Sequence, residues 1–130
     1  MVDILKKAKS DWSSEVLHSS CVSINDNGVL IIGQSGAGKS SLALQLISLG
    51  ARLVSDDKTI IERRNNHIIA KCPDDLKGLI ECRGVGILKL PFYKSTKLRF
   101  VINLGKIEKK RLPLKKRCRL LGIGLRLFNK

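Results

Sequence analysis

Aromatic residues are scarce in this chain. Three Phe, one Trp and one Tyr make up 4% of 130 residues. A nucleic-acid binder that stacks bases on rings is therefore poorly provided for. Acids are few as well, with 11 Asp and Glu against 25 Lys and Arg. No apolar run approaches the roughly 18–20 residues of a membrane-spanning helix. The opening Met1-Val2-Asp3-Ile4-Leu5-Lys6-Lys7 has no apolar core long enough for a signal peptide. The expectation is a cytoplasmic protein. Cys21, Cys72, Cys82 and Cys118 form no C-x-x-C pair, and no histidine stands at zinc-finger spacing. They read as reduced thiols that fill gaps.

What is present suffices for one domain. Apolar residues make up 43% of the chain, too many for disorder. The net charge of +14 is unevenly spread: residues 94–130 hold 13 Lys and Arg against one acid, Glu108. Such a segment can meet nucleic acid, anionic lipid or an acidic protein, or simply form a solvated face.

The most specific stretch is Gly33-Gln34-Ser35-Gly36-Ala37-Gly38-Lys39-Ser40, which fits G-x-x-x-x-G-K-[ST]. In such a P-loop, glycines let backbone N–H groups turn inward around phosphate. Lys39 reaches the β- and γ-phosphates, and the Ser40 hydroxyl ligates Mg²⁺. Val29 to Ile32 before it suits a buried strand, and residues 41–49 after it suit a helix stopped by Gly50. A helix N-terminus then points at the anion.

Elsewhere short strands dominate. Residues 17–24 and 29–32 are expected to pair antiparallel about an Asp26-Asn27-Gly28 turn. Further strands are expected at 52–55, 58–62, 67–71, 98–104 and 122–128, with Arg63 to Asn66 as a turn and 73–78 as a loop. Residues 79–90 read either as one strand broken by Gly84 and Gly86 or as strand, turn and strand. Residues 1–15 read as a short lead helix or a frayed end. The total is one helix among about eight strands.

Three further groups of residues bear on chemistry. Asp56 and Asp57 end a short strand 17 residues after Lys39, so one can serve a metal and the other accept a hydroxyl proton. His18, on the strand that pairs with the one feeding the loop, can hydrogen-bond an aspartate. Glu81 and Arg83 flank Cys82 and would share a strand face, serving metal and phosphate or pairing with each other.

Together these stretches resemble the catalytic domain of bacterial HPr kinase/phosphorylase. The resemblance rests on Leu17 to Val22, the P-loop, Gly50 to Asp57 and Leu79 to Ile87, over about residues 16–105. It implies an α/β fold related to phosphoenolpyruvate carboxykinase, with a mainly β-rich central sheet and few helices. It also implies a serine kinase acting on HPr with ATP and Mg²⁺, and the reverse phosphorylase reaction. Carried over by position, Gly33 to Ser40 bind nucleotide, and Ser40 and Glu81 hold metal. Asp56 is the base, Asp57 and His18 support it, and Arg83 serves the phosphate or protein side. A hexamer is also implied. Residues 1–130 would form one catalytic domain of the short proteobacterial kind, with 1–15 as a lead and 106–130 as a basic, divergent end. Asn103 stands where short members often carry an acid. Two other readings stay open: an ATP-binding regulator without transfer, and a binder of nucleic acid or membrane through residues 94–130.

Overall fold

The computed structural model describes residues 2–5, 13–105 and 116–129. Eleven strands and one α-helix run through them. The strands are β1 (Val2–Asp3), β2 (Ser14–Ile24), β3 (Asn27–Ile32), β4 (Arg52–Ser55), β5 (Lys58–Arg64) and β6 (His67–Lys71). They continue with β7 (Leu79–Cys82), β8 (Gly86–Lys89), β9 (Ser95–Asn103), β10 (Lys116–Leu120) and β11 (Ile123–Asn129). The helix α1 is Lys39–Ser48.

The main sheet runs β1-β10-β11-β9-β3-β2-β5-β6, with β4 on β2 and β6 also on β9. The contacts β2–β3–β9–β6–β5–β2 therefore close a ring of five strands. Two long strands make this possible. β2 gives its first half to β5 and its second to β3 and β4. β9 gives its first half to β6, and its second to β3 and β11. β3 lies antiparallel to β2 and parallel to β9. The separate β7–β8 hairpin packs beside α1.

Alternation along β3 explains its apolar run. Leu30 enters one core with Cys21, Val54, Ile61, Ile68, Leu98 and Val101, inside the ring. Val29 and Ile31 enter the other with Val22, Ala43, Leu53 and Ile80, under α1 and the hairpin. A strand buried on both faces needs apolar residues at every position, and each aliphatic side chain removed from water contributes about 1.5–3 kcal/mol.

Several expectations need correction. The β2–β3 turn is Asn25-Asp26, both left-handed (φ 49° and 65°), and not Asp26-Asn27-Gly28. Asn and Asp tolerate that conformation. Gly28 instead lies in β3, where a Cβ would come 2.7 Å from the Lys97 carbonyl oxygen of β9. Of the two readings of residues 79–90, strand, turn and strand is the one found. The β5–β6 turn shrinks to Asn65-Asn66, because Arg64 and His67 pair. The lead helix is not found among the described residues: Val2–Asp3 pairs parallel with β10, and Ser14 and Glu15 belong to β2. The rest of that lead, and residues 106–115, lie outside the described residues.

Cys21, Cys72 and Cys118 are buried and Cys82 half-buried, all unpaired thiols. Burial raises Cys21 well above its ordinary value. It pushes Cys118 up to about 11, and Cys72, with help from Asp75, also to about 11. Protonated thiols are poor nucleophiles and metal ligands, as the gap-filling reading expects. No helix among the described residues is long and apolar enough to cross a membrane.

Candidate active site

The loop Gly33–Ser40 leaves the end of β3 and runs straight into α1. Gly36 and Gly38 take φ of 86° and 100°, with open space where a Cβ would stand. Conformation, not crowding, is what calls for glycine there. The helix begins at Lys39, two residues before the expected start, so Lys39 and Ser40 occupy its first turn. No side chain caps that end and its first turn holds no acid. Its N–H groups remain available to an anion. The Lys39 Nζ donates to the carbonyls of Gly33 (2.8 Å) and Gln34 (3.0 Å). The lysine thus braces its own loop.

Asp56 anchors the opposite wall. It is 4% exposed. Its Oδ1 accepts from the hydroxyls of Ser20 and Ser40, each at 2.7 Å, and its Oδ2 from the Glu81 N–H at 3.1 Å. One carboxylate therefore ties together β2, α1 and β7. Asp57 follows in the left-handed region at φ 68°. That ends the alternation of the strand, so two consecutive carboxylates line one pocket. The turn is held by Lys58 N–H on the Asp56 carbonyl (2.8 Å) and Ser19 N–H on the Asp57 carbonyl (3.1 Å). Below it the buried hydroxyls of Ser55 and Thr59 share a hydrogen bond.

These groups surround a cavity of about 240 Å³. Ser35, Gly36, Gly38, Lys39, Ser40, Asp56, Asp57, Glu81 and Arg83 line it. Ile80 is fully buried under α1 and fixes the hairpin that carries Glu81. Arg83 lies in the turn beyond β7 and not on the strand with Glu81, yet both reach the cavity.

Four candidates stand apart from the lining: Gly33, Gln34, Ala37 and His18. The first three shape the loop, through Lys39 and the Ala37 N–H to Gln34 carbonyl bond at 3.0 Å. His18 is exposed on β2 opposite Lys58. Its expected bond to an aspartate is not among those of the described residues; serine hydroxyls and a backbone N–H take that place at Asp56. Ser20 was missed. The signal for it was its position two residues after His18, on the same face of the strand.

The family model for the HPr serine kinase C-terminal domain matches residues 12–120. The chain belongs to that family. A relative named HPr kinase/phosphorylase from Peptoclostridium acidaminophilum is 46% identical over 78 residues, 59% of this chain and 25% of the relative. Another of that name from Variovorax paradoxus is 42% identical over 93 residues, 69% of this chain and 29% of the relative. The chain thus spans less than a third of the length of these relatives. Among solved structures, the Hpr(Ser) kinase/phosphatase from Coxiella burnetii matches with a TM-score of 0.79 and 32% identity. That match covers 89% of this chain and 85% of the other. The sheet-dominated fold with few helices is therefore that of an HPr kinase/phosphatase.

Proposed function

We propose that this chain is a cytoplasmic serine kinase that transfers a phosphoryl group from ATP to HPr, with Mg²⁺ as cofactor. It would thereby regulate the phosphotransferase system and carbohydrate metabolism. The observation that carries this reading is the convergence on Asp56. A carboxylate held by Ser20, Ser40 and the Glu81 N–H faces the same cavity as Lys39 and Arg83. Family membership supplies the acceptor.

In this reading Gly33 to Ser40 are the P-loop. Nucleotide phosphates take the N–H groups at the head of α1, and Lys39 exchanges its carbonyl contacts for phosphate oxygens. Asp56 accepts the proton of the serine hydroxyl, and its three donors fix its orientation. Asp57 supports it from the adjoining turn, and the resemblance gives His18 a supporting role as well. Arg83 meets the phosphoryl group or the protein that carries the serine.

The donors fit Mg²⁺. Ser40 and Glu81 offer hard oxygens. Among the described residues no group of three or more His, Cys, Asp or Glu forms a complete protein cage. Mg²⁺ at such sites keeps waters and shares itself with substrate phosphates. When bound, it would neutralise charge on the transferred group. The phosphoenolpyruvate carboxykinase relation also belongs to this proposal. A β3 that is antiparallel on one side and parallel on the other fits it better than an all-parallel sheet does. So do the single catalytic domain, the hexamer and the reverse phosphorylase reaction that the resemblance implies.

The test is incubation with labelled ATP, Mg²⁺ and HPr. Label on an HPr serine is the expected result. Nucleotide binding with no label at saturating protein would reject the kinase and leave an ATP-binding regulator.

A further inference from the structure

Away from Asp56, charge is least balanced where the main sheet forks. β9 pairs with β6 through residues 95–97 and with β11 from Phe100 onward. Leu98 and Arg99 fall between these two pairings, and a cavity of about 260 Å³ opens there. Lys97 and Arg99 of β9, Arg117 of β10 and Arg126 of β11 line it, with Asn66 of the β5–β6 turn and His67 at the start of β6. No acid does.

Some cations elsewhere on the described surface are paired with acids. Arg64 and Lys71 share Glu62, Lys77 meets Asp74, and Arg119 meets Asp3. Among the described residues none of the four fork cations forms an ion pair. Among the described residues Arg117 donates to the Gly124 carbonyl, at 3.3 Å. The Nε of Arg126 is buried without a hydrogen-bond partner, while its guanidinium lies 5.2 Å from the centre of the Phe128 ring. A buried donor without an acceptor is costly, and so is the convergence of like charges.

We propose that this fork binds a small anion bearing a phosphate group. Planar guanidinium groups match tetrahedral oxyanions through paired N–H donors, and an ammonium adds charge. The cavity far exceeds the roughly 30 Å³ share of one water, so a phosphate and part of an esterified alcohol have room. A nucleic-acid strand is less well served. Phe128, the exposed ring beside the fork, already carries Arg126 on its face, so no platform is left for successive bases.

The experiment is calorimetric titration of inorganic phosphate into the full chain at low salt, with Lys39→Met used to remove binding at the glycine-rich loop. The Lys39→Met chain should still bind phosphate, and more weakly as salt rises. Adding Arg99→Gln and Arg126→Gln should weaken that binding about tenfold or more, the loss of at least one charge-assisted hydrogen bond. Lys94→Gln, a lysine outside the fork, should leave it unchanged. If the double variant folds poorly, Lys97→Gln serves instead, because its exposed side chain makes no packing contribution to lose. Glycerol 3-phosphate is the second arm. Tighter binding than inorganic phosphate assigns an ester, and weaker binding the free oxyanion. The proposal is overturned if Lys39→Met abolishes all phosphate binding, or if the fork substitutions leave it intact. It is also overturned if an oligonucleotide binds at the fork and phosphate does not compete.

Discussion

The pocket at the head of α1 sets Lys39 and Arg83 among Asp56, Asp57 and Glu81, whereas the fork between β6 and β11 gathers four cations and, among the described residues, no acid. The first pocket carries its own counter-charges, and its groups hold one another. Lys39 sits on loop carbonyls, and Asp56 on two hydroxyls and an N–H. Such mutual bonds orient the groups in advance, which is what phosphoryl transfer needs. The fork keeps its cations unmatched, and an arriving anion relieves that. Along the sequence the net charge of +14 is concentrated in residues 94–130 and is not evenly spread.

The comparison can be broken from the side of packing first. Ile80→Ala empties a fully buried site beneath the hairpin that carries Glu81 and Arg83. The expected loss is about 2–5 kcal/mol of stability, read by urea unfolding. Nucleotide affinity should fall as well, while phosphate binding at the fork stays. Next comes Lys39→Met, which should weaken nucleotide binding by about ten- to a hundredfold, since charge-assisted hydrogen bonds are worth roughly 1.5–3 kcal/mol. Equilibrium dialysis with labelled ATP measures it.

At the fork the sign should reverse. Lys97→Gln removes a like charge, so it should stabilise the free protein by about 0.2–1 kcal/mol at low salt. High salt or added phosphate should erase the gain in thermal unfolding. The smallest effect concerns Glu62, whose carboxyl is held below its ordinary value by the hydrogen bond from Lys71 and then that from Arg64. Its contribution is present above the ordinary carboxylate pKa and is lost as pH falls through the lowered folded-state value. For a partly exposed network that is at most about 1 kcal/mol. Glu62→Gln should therefore lose less stability than the wild type on going from about pH 7 to about pH 3, measured by urea midpoints.

Much of the site was legible in the sequence because local rules govern it. The glycine spacing, the strand before it, the helix after it and the two aspartates each follow from backbone conformation or alternation. The helix start at Lys39 differs from the expected residue 41 by two positions. Ser20 was hidden because its role depends on a partner 36 residues away. Strand β10 was hidden for another reason. Lys116-Arg117-Cys118-Arg119-Leu120 reads as part of a basic run, yet Cys118 and Leu120 alternate into the core while Arg117 and Arg119 face out. The fork itself could not be read, since it arises only where β9 changes partners.

The central claim is that Asp56 takes the proton of the acceptor hydroxyl while the loop and α1 hold the nucleotide. Asp56→Asn tests it most directly, with ATP binding and phosphoryl transfer to HPr measured on the same preparation. The account predicts that ATP still binds and that transfer falls by about 10²–10⁴-fold, the usual share of a general base. Transfer at the wild-type rate by an Asp56→Asn chain that binds ATP would contradict it.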